Sequence, residues 1–344
     1  MEMAYVLTHA TVLDGTEQMG PQPNMTVVVD DGGRIDRVGP AASTVGPLGA
    51  REIDLGGAYL MPGLINAHVH LCGSGKPMSA GGAGDLIDKV VGNPLGMWAL
   101  RRMIRGHAQA QLASGVTTVR SVGDPGFADV DVRDAIDAGK CAGPRLLTSG
   151  VGVTVPGGHG AELDDELIAL FKKNGVGRAS SLTCTVSPAL PFVELAPEKT
   201  KSTEVQKVNG RIVYEGIVRA AQQALAAGIP VGLGTDSSCP YITHYDLWRE
   251  VVYFERLVGA SRQMALHTAT LGNARILGLG EETGSVEEGK AADLIVTKAN
   301  PLENLEALRD VSMVMVRGKL DEHPRVKRIP ELDAELDEFL PKAC

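Results

Sequence analysis

Hydrophobic positions along this chain follow two different patterns. Residues 4–7 and 25–29 are apolar or β-branched runs, and residues 34–39 alternate polar with apolar side chains. Runs of this kind, separated by turns and without a helical stripe, predict a small sheet. From residue 70 onward, short apolar runs alternate with stripes at four-residue spacing, such as Leu100, Ile104, Ala108 and Leu112. Strand and helix in regular alternation predict a parallel α/β architecture.

The α/β part of the chain contains five runs that we predict to be parallel strands. They begin at the following residues: Leu64, Val116, Arg145, Leu182 and Val231. A TIM barrel has eight strands, so the pattern predicts a TIM-like (β/α) barrel that lacks about three of them.

After residue 284 the pattern returns to strands, at residues 292–296 and 311–316. These strands could join the N-terminal ones, and we therefore predict a small composite β-sandwich made from both ends of the chain. The tail carries an apolar helical stripe that would dock on the body or on a second subunit of a homo-oligomer. The predicted units are residues 1–58 with 285–322 for the sandwich, 59–284 for the barrel and 323–344 for the tail helix.

The first candidates for chemistry lie in the apolar run of residues 61–71, which contains His68 and His70. Side chains on a strand alternate with a period of two, so both imidazoles point to the same face. Two imidazoles at the end of a buried strand make half of a metal site. A third candidate, Asp236, ends the predicted strand at residues 231–236. All three groups sit at the carboxyl ends of strands, where barrel enzymes build their sites.

Composition narrows the classes of function. The chain has 344 residues, of which 44% are hydrophobic and 4% aromatic, and its formal charge is −9. This balance, without a basic cluster, argues against a nucleic-acid partner. We see no apolar run long enough for a membrane span and no basic n-region of a signal peptide. The five cysteines are spread without a Cys-x-x-Cys pair, which favours a reduced, cytoplasmic protein.

Three motifs, in this order, resemble the metal-dependent amidohydrolase superfamily. They are residues 61–70 around the two histidines, Gly-Thr-Asp at residues 234–236, and residues 267–275 followed by residues 284–294. Residues 115–120 and 155–160 further resemble the branch that contains Xaa-Pro dipeptidases, arginine carboxypeptidases and imidazolonepropionase-like proteins.

The resemblance implies a barrel with a composite β-sandwich, and one or two divalent metals, usually zinc, with a bound hydroxide that attacks an amide carbon. His68 and His70 would be metal ligands. Asp236 would complete the metal site and move the proton from the attacking water to the leaving nitrogen. The substrate would be a small-molecule amide or dipeptide.

The chain departs from this branch in the middle of the barrel. Members carry a lysine, often carboxylated, at the end of the fourth strand and histidines at the ends of the fifth and sixth, and we find none of the three here. The sequence could lack a segment of the natural protein, the gene could encode a true deletion, or other residues could have taken over. The family motifs keep their order on both sides of the missing part, with no degraded sequence between them. This favours a shortened form of a working enzyme over gradual loss of function.

Two further histidines, His159 and His244, follow predicted strands and so lie on the site face, where we predict substrate contacts. His107 lies beside a helical stripe and His267 near a helix start, positions that favour structural roles. Cys72 and Cys239 flank the motifs, and we expect burial as small apolar groups. Asp124 begins the sequence Asp-Pro-Gly, which is typical of a turn. We therefore favour a turn residue at Asp124 over a substrate contact.

The leading hypothesis from the sequence is a metal-dependent hydrolase of carbon–nitrogen bonds in amides or dipeptides. A second hypothesis is a catalytically dead or truncated remnant that acts as a scaffold, because strands and ligands are missing. A third is a deaminase or cyclic-amide hydrolase, since the same hydroxide chemistry serves both.

Overall fold

A computed structural model of the protein describes residues 3–77, 90–150, 169, 182–200 and 202–341. The predicted loop at residues 154–160, which carries His159, lies outside these residues, as does the predicted helix at 165–174 apart from Ala169. Over the described residues the fold is mixed α/β, as the sequence predicts.

The strands, in chain order, are β1 (Tyr5–Val12), β2 (Gln22–Val29), β3 (Ile35–Pro40), β4 (Arg51–Asp54), β5 (Tyr59–Pro62), β6 (Leu64–Val69), β7 (Val116–Ser121), β8 (Arg145–Thr148), β9 (Leu182–Cys184), β10 (Val231–Leu233), β11 (Leu294–Thr297), β12 (Val311–Val316) and β13 (Lys319–Asp321). The α-helices are α1 (Pro94–Ala113), α2 (Ala128–Asp137), α3 (Leu190–Glu194), α4 (Pro197–Thr200), α5 (Glu204–Ala226), α6 (Leu247–Tyr253), α7 (Arg262–His267), α8 (Asn273–Ile276) and α9 (Pro330–Glu338). Helix α6 continues as π-helix over Phe254–Val258, and α7 continues over Thr268–Gly272 into α8. Short 3₁₀ turns lie at Pro125–Phe127 and Leu305–Arg309.

Strands from both ends of the chain form one sheet in the order β13-β12-β11-β5-β1-β2-β3, with β4 paired to β1. Strand β5 joins the two ends, because it is antiparallel to β11 and parallel to β1. Apolar side chains from both ends, among them Leu7, Val27 and Leu294, share one buried cluster on this sheet. The structure thus shows a composite sheet, while a second sandwich layer and the domain limits remain predictions.

The five strands predicted for the barrel are all present and parallel. Strands β6, β7 and β8 form one ladder, and β9 and β10 form another. A parallel bridge between Val69 and Ser237 connects the two groups. Arg120 on β7 also spans them, since its Nε donates to the Ala67 carbonyl at 2.6 Å and its Nη2 to Thr183 Oγ1 at 3.4 Å. Among the residues that the structure describes, these strands do not close into a barrel.

Helices α1 and α5 begin and end where local chemistry dictates. Asn93 caps α1 by accepting from the Leu95 amide, and the predicted stripe of Leu100, Ile104 and Ala108 is buried. Thr203 and Gln206 form a capping box at the start of α5. Such caps satisfy amides that have no partner in the first helical turn.

The tail helix α9 docks on the body of the same chain. Leu332 and Leu336 are buried against Leu195 and Tyr241. The hydroxyl of Tyr245 donates to Asp333 Oδ1 at 3.1 Å and accepts from the Ile329 amide at 2.7 Å. Across the described ranges, none of the helices combines the length and apolar character that crossing a membrane requires.

Candidate metal centre

His68, His70 and Asp236 come together at the carboxyl ends of β6 and β10. The Nε2 atom of His68 lies 3.5 Å, and that of His70 3.6 Å, from Oδ1 of Asp236. One ligand atom from each of the three residues lies within 4.8 Å of the other two. Their side chains are 32%, 34% and 26% exposed, so a small molecule can reach them from solvent.

The three atoms have the spacing of a metal's ligand set. Tetrahedral zinc with bonds of about 2.1 Å places neighbouring ligand atoms about 3.4 Å apart. The separations of 3.5 and 3.6 Å are close to that value. Imidazole nitrogen and carboxylate oxygen are both donors that zinc accepts. The residues therefore fit a divalent ion.

The orientation of the His70 ring is set by the backbone of the turn that follows β7. Its Nδ1 lies 2.6 Å from the carbonyl oxygen of Gly123. A carbonyl only accepts, so Nδ1 must carry the proton and donate it. That tautomer leaves the lone pair on Nε2, the atom that faces Asp236, as is usual for metal-binding histidines.

Asp236 is held against β6 by its own backbone. The carbonyl of His68 accepts from the Asp236 amide at 2.8 Å and from the Thr235 amide at 3.1 Å. Asp236 has φ of +54°, in the left-handed region, which aspartate tolerates better than most side chains. The turn after β10 therefore brings the carboxylate directly beside the His68 and His70 rings.

Asn66 joins the histidine strand to the Gly-Thr-Asp turn. It is fully buried. Its Nδ2 donates to Thr235 Oγ1 at 2.9 Å, and its Oδ1 accepts from the Thr235 amide at 3.1 Å. Sequence reasoning missed this role, although Asn66 falls on the same strand face as His68 and His70 by the period of two.

The side chain of Asn273 on α8 binds the backbone of both site strands, β6 and β10. Its Nδ2 donates to the carbonyls of Ile65 at 2.6 Å and Leu233 at 2.9 Å, and its Oδ1 accepts from the Leu233 amide at 3.0 Å. Asn273 thus fixes the separation of β6 and β10. This residue lies inside the third sequence motif, which gave the only signal for it.

Glu250 on α6 is a fully buried carboxyl whose pKa is influenced by the charge of Asp236. It accepts from the amides of Val186 at 2.5 Å and Ser187 at 2.9 Å, and from the Ser187 hydroxyl. Burial raises the pKa of Glu250 to about 7, and the charge of Asp236 adds to that rise. No feature of the sequence pattern pointed to it.

The two cysteines beside the motifs are partly buried. Burial, with the charge of Asp124, raises the pKa of the Cys72 thiol to about 12. Burial, with the charge of Asp236, does the same for Cys239. Partial burial is what the expectation of small apolar groups requires, and the exclusion of these thiols from the ligand set stays a prediction.

His244 is buried, and it contacts the backbone of Gly73 and the ring of His107. Its Nε2 lies 2.6 Å from the Gly73 carbonyl, and its ring stacks on that of His107 with centroids 3.9 Å apart. His107 Nδ1 in turn lies 2.7 Å from the Leu71 carbonyl. The pair holds the chain that follows His70. A substrate contact by His244 stays a prediction, and His159 lies outside the described residues.

His267 has the structural position that the sequence favours. It is buried, and its Nδ1 lies 2.8 Å from the carbonyl of Gly15, which lies between β1 and β2. It therefore ties α7 to the N-terminal strands.

Known proteins resemble this chain in both sequence and structure. The pattern that defines the amidohydrolase family matches residues 59–204 and 213–320. The chain is 31% identical to a candidate prolidase from Bifidobacterium longum, whose crystal structure superposes with a TM-score of 0.86 over 98% of this chain and 99% of that one. It is 28% identical to the imidazolonepropionase of Anaeromyxobacter dehalogenans over 197 residues, which are 55% of this chain and 41% of that protein. It is 25% identical to a 5-methylthioadenosine/S-adenosylhomocysteine deaminase from Symbiobacterium thermophilum over 419 residues, 92% of each chain.

The chain belongs to the amidohydrolase family, because the family pattern matches well over half of it. The resemblance to the branch with prolidases and imidazolonepropionases is confirmed by the same matches. The match spans less than half the length of the imidazolonepropionase.

Proposed function

We propose that this protein is a metal-dependent hydrolase of carbon–nitrogen bonds in small amides or dipeptides. The observation that carries the proposal is the convergence of His68, His70 and Asp236 at the carboxyl ends of β6 and β10. Membership of the amidohydrolase family supports it, since the matched ranges 59–204 and 213–320 contain all three residues. A remnant without function would have no reason to keep a solvent-accessible ligand set.

The three residues would hold one divalent ion, and their imidazole and carboxylate donors suit zinc. A bound ion of this kind supplies a Lewis acid and lowers the pKa of a water to about 7. His70 would contribute Nε2, because its Nδ1 proton is engaged by Gly123. A second ion would need further ligands, and the described residues contain no other group of three suitable side chains.

Asp236 would also move the proton during hydrolysis. Its Oδ1 is the atom nearest both imidazoles, and a quarter of the side chain is open to solvent. A carboxylate at this place can take a proton from the attacking water and pass it to the leaving nitrogen. The left-handed backbone at Asp236 and the amide bonds to the His68 carbonyl hold it in position.

Dipeptides are the first substrates to consider, because a relative that aligns over 99% of its length at 31% identity is a candidate prolidase. Amino-heterocycles form the comparison group, because a deaminase also aligns over 92% of this chain. We further propose a cytoplasmic location, because the five cysteines are spread along the sequence without a Cys-x-x-Cys pair.

We also propose that the barrel of this chain is shortened relative to its relatives, with the composite small domain intact. The alignment with the deaminase extends over 419 residues and is thus longer than this chain of 344. That relative must therefore contain residues without a counterpart here. The five described barrel strands, starting at Leu64 and ending with β10, fit such a shortened form.

Metal content and hydrolysis together test the proposed function. Protein purified with added Zn²⁺ should retain at least one ion per chain and hydrolyse members of a panel of Xaa-Pro dipeptides and N-acyl amino acids. The double variant His68→Ala/His70→Ala should lose both the ion and the activity. His323→Ala, an exposed histidine outside the site, is the matched control and should keep both.

Two outcomes would contradict the proposal. Wild-type protein that is folded but retains no zinc, cobalt or manganese would exclude the metal centre. Turnover confined to the amino-heterocycles would replace the amide hydrolase by a deaminase.

A further inference from the structure

We propose that Asp124 is a positioning residue, which sets the orientation of the His70 ring from outside the ligand set. The inference rests on the proposed metal centre for its consequence, but its structural basis is independent of any ion. Asp124 lies in the turn after β7 and is buried.

The carboxylate of Asp124 binds the chain immediately after His70. Its Oδ1 accepts from the amides of Leu71 at 2.9 Å and Cys72 at 2.7 Å, and its Oδ2 lies 3.1 Å from the Leu71 amide. A carboxylate offers only acceptors, so it satisfies two adjacent amides that an uncharged side chain would satisfy less well. Asp124 therefore fixes the backbone direction at the point where β6 ends.

The residue before Asp124 binds the His70 ring itself. The Gly123 carbonyl accepts from His70 Nδ1 at 2.6 Å. The Asp124 amide donates to the Gly150 carbonyl at 3.0 Å, which anchors this turn to the end of β8. The His70 ring and the chain immediately after His70 are thus both bound by one two-residue segment, Gly123 and Asp124.

The structure contains a matched control for Asp124. The Ser121 hydroxyl lies 2.9 Å from Oδ2 of Asp124 and 2.9 Å from Oδ2 of Asp129. Asp129 is also buried, but it lies on α2 and its Oδ1 accepts from the neighbouring Val130 amide. Replacement of either aspartate by asparagine removes one buried charge next to the same hydroxyl. Of the two aspartates, Asp124 binds the chain after His70, whereas the contacts given above for Asp129 lie elsewhere.

The loss of a side chain that orients a metal ligand typically weakens metal binding by about 10–100-fold. We therefore expect Asp124→Asn to bind Zn²⁺ about 10–100-fold more weakly than wild type, measured by competition with a chromophoric chelator. The visible bands of the Co²⁺-loaded variant should also change, because they report coordination geometry. Asp129→Asn should match wild type in both measurements, even if the two variants unfold at similarly reduced temperatures.

A second measurement needs no metal. The ¹⁵N resonances of labelled histidine give the tautomer of His70, assigned by comparison with His70→Ala. Wild type and Asp129→Asn should show the Nδ1-protonated form, whereas Asp124→Asn should show a mixture of tautomers. Asp124→Ser, which keeps one oxygen acceptor in a smaller side chain, takes the place of Asp124→Asn if the latter does not fold.

The outcomes separate this inference from the proposed function. An unchanged His70 tautomer in the Asp124 variant would overturn the positioning role, whatever the metal content. Equal Zn²⁺ affinities of the Asp124 and Asp129 variants would do the same. Wild-type protein that binds no ion would instead contradict the proposed function and leave the tautomer comparison to decide the role of Asp124.

Discussion

Each residue of the Gly-Thr-Asp turn meets a separate physical requirement. A Cβ atom on Gly234 would lie 2.5 Å from the His68 Cβ and 2.6 Å from the His68 amide nitrogen. Thr235 exchanges hydrogen bonds with Asn66, and Asp236 adopts a left-handed backbone. The convergence of His68, His70 and Asp236 could be anticipated from motif order. The roles of Asn66 and Asp124 could not, because their partners are brought close only by folding.

Substitution of Gly234 tests the close approach of the two site strands. Gly234→Ala should lower the free energy of unfolding by about 1–3 kcal/mol, because the new methyl group must push the backbone of β6 away. Zn²⁺ affinity should fall with it. Gly216 on α5 has open space around its Cα, so Gly216→Ala should instead stabilise the protein by about 0.5–1 kcal/mol. Urea titrations of both variants measure the difference, and equal effects would contradict the steric argument.

The buried histidine pair predicts a loss of stability in acid. Burial, with the neighbouring His107, lowers the pKa of His244 to about 3, and burial also lowers that of His107. An unfolded histidine titrates near 6.5, so the unfolded state takes up the proton first as the pH falls. Stability should therefore decrease from about pH 6.5 downward, by up to about 1.4 kcal/mol per pH unit for each histidine.

His244→Phe isolates this contribution, because phenylalanine keeps the stack but cannot be protonated. The variant should show a shallower pH dependence of the free energy of unfolding between pH 6.5 and about 4. His323→Phe, at an exposed position, should follow the wild-type curve. Parallel curves for wild type and His244→Phe would show that His244 is protonated in the folded state.

At the scale of elements, periodicity predicted most of what the structure contains. The five barrel strands start at their predicted residues, and the stripe of Leu100, Ile104 and Ala108 lies buried on α1. Helix α5 buries Ala220, Ala221 and Ala224, all in its second half, so the apolar pattern gives little signal for its start at Glu204. The π-helical turns at Phe254–Val258 and Thr268–Gly272 have no distinct sequence period.

Through Asn273, helix α8 binds both β6 and β10 and so controls the spacing of these two strands. Asn273→Ala would leave the Ile65 and Leu233 carbonyls and the Leu233 amide without this partner. Buried groups without a partner cost about 1–3 kcal/mol each, partly relieved by relaxation, so we expect about 2–4 kcal/mol of destabilisation. Weaker Zn²⁺ binding should accompany it, because β6 and β10 carry the ligands.

The control for this prediction is the helix cap of α1. Asn93→Ala removes one exposed cap and should cost about 1 kcal/mol, with Zn²⁺ affinity unchanged. Chemical unfolding and metal competition, applied to both asparagine variants, distinguish a general loss of stability from a change in strand spacing. Unaltered Zn²⁺ binding by Asn273→Ala would count against the clamp.

At the scale of the whole molecule, the tail helix α9 packs against the loop that follows Asp236. Leu336 packs against Leu195 and Tyr241, and Tyr241 belongs to the loop that follows Asp236. Leu336→Ala should destabilise the protein by about 2–4 kcal/mol, as large-to-small changes in buried positions do. Leu48→Ala, at a fully exposed leucine, should change stability by less than about 0.5 kcal/mol. Thermal unfolding of the two variants provides the comparison, and a Leu336→Ala midpoint equal to that of Leu48→Ala would argue against a docked tail.

The position of β5 between strands from the two chain ends has a consequence for biosynthesis. Its partner β11 begins at Leu294, more than two hundred residues after β5 ends at Pro62. During synthesis, β5 is therefore made well before β11. At roughly 5–20 residues per second, the apolar edge of β5 waits on the order of 10–50 s for its neighbour. An open strand edge of this kind invites pairing with other chains, so nascent protein should depend on chaperones during this interval. A shorter barrel would reduce the wait without altering the sheet.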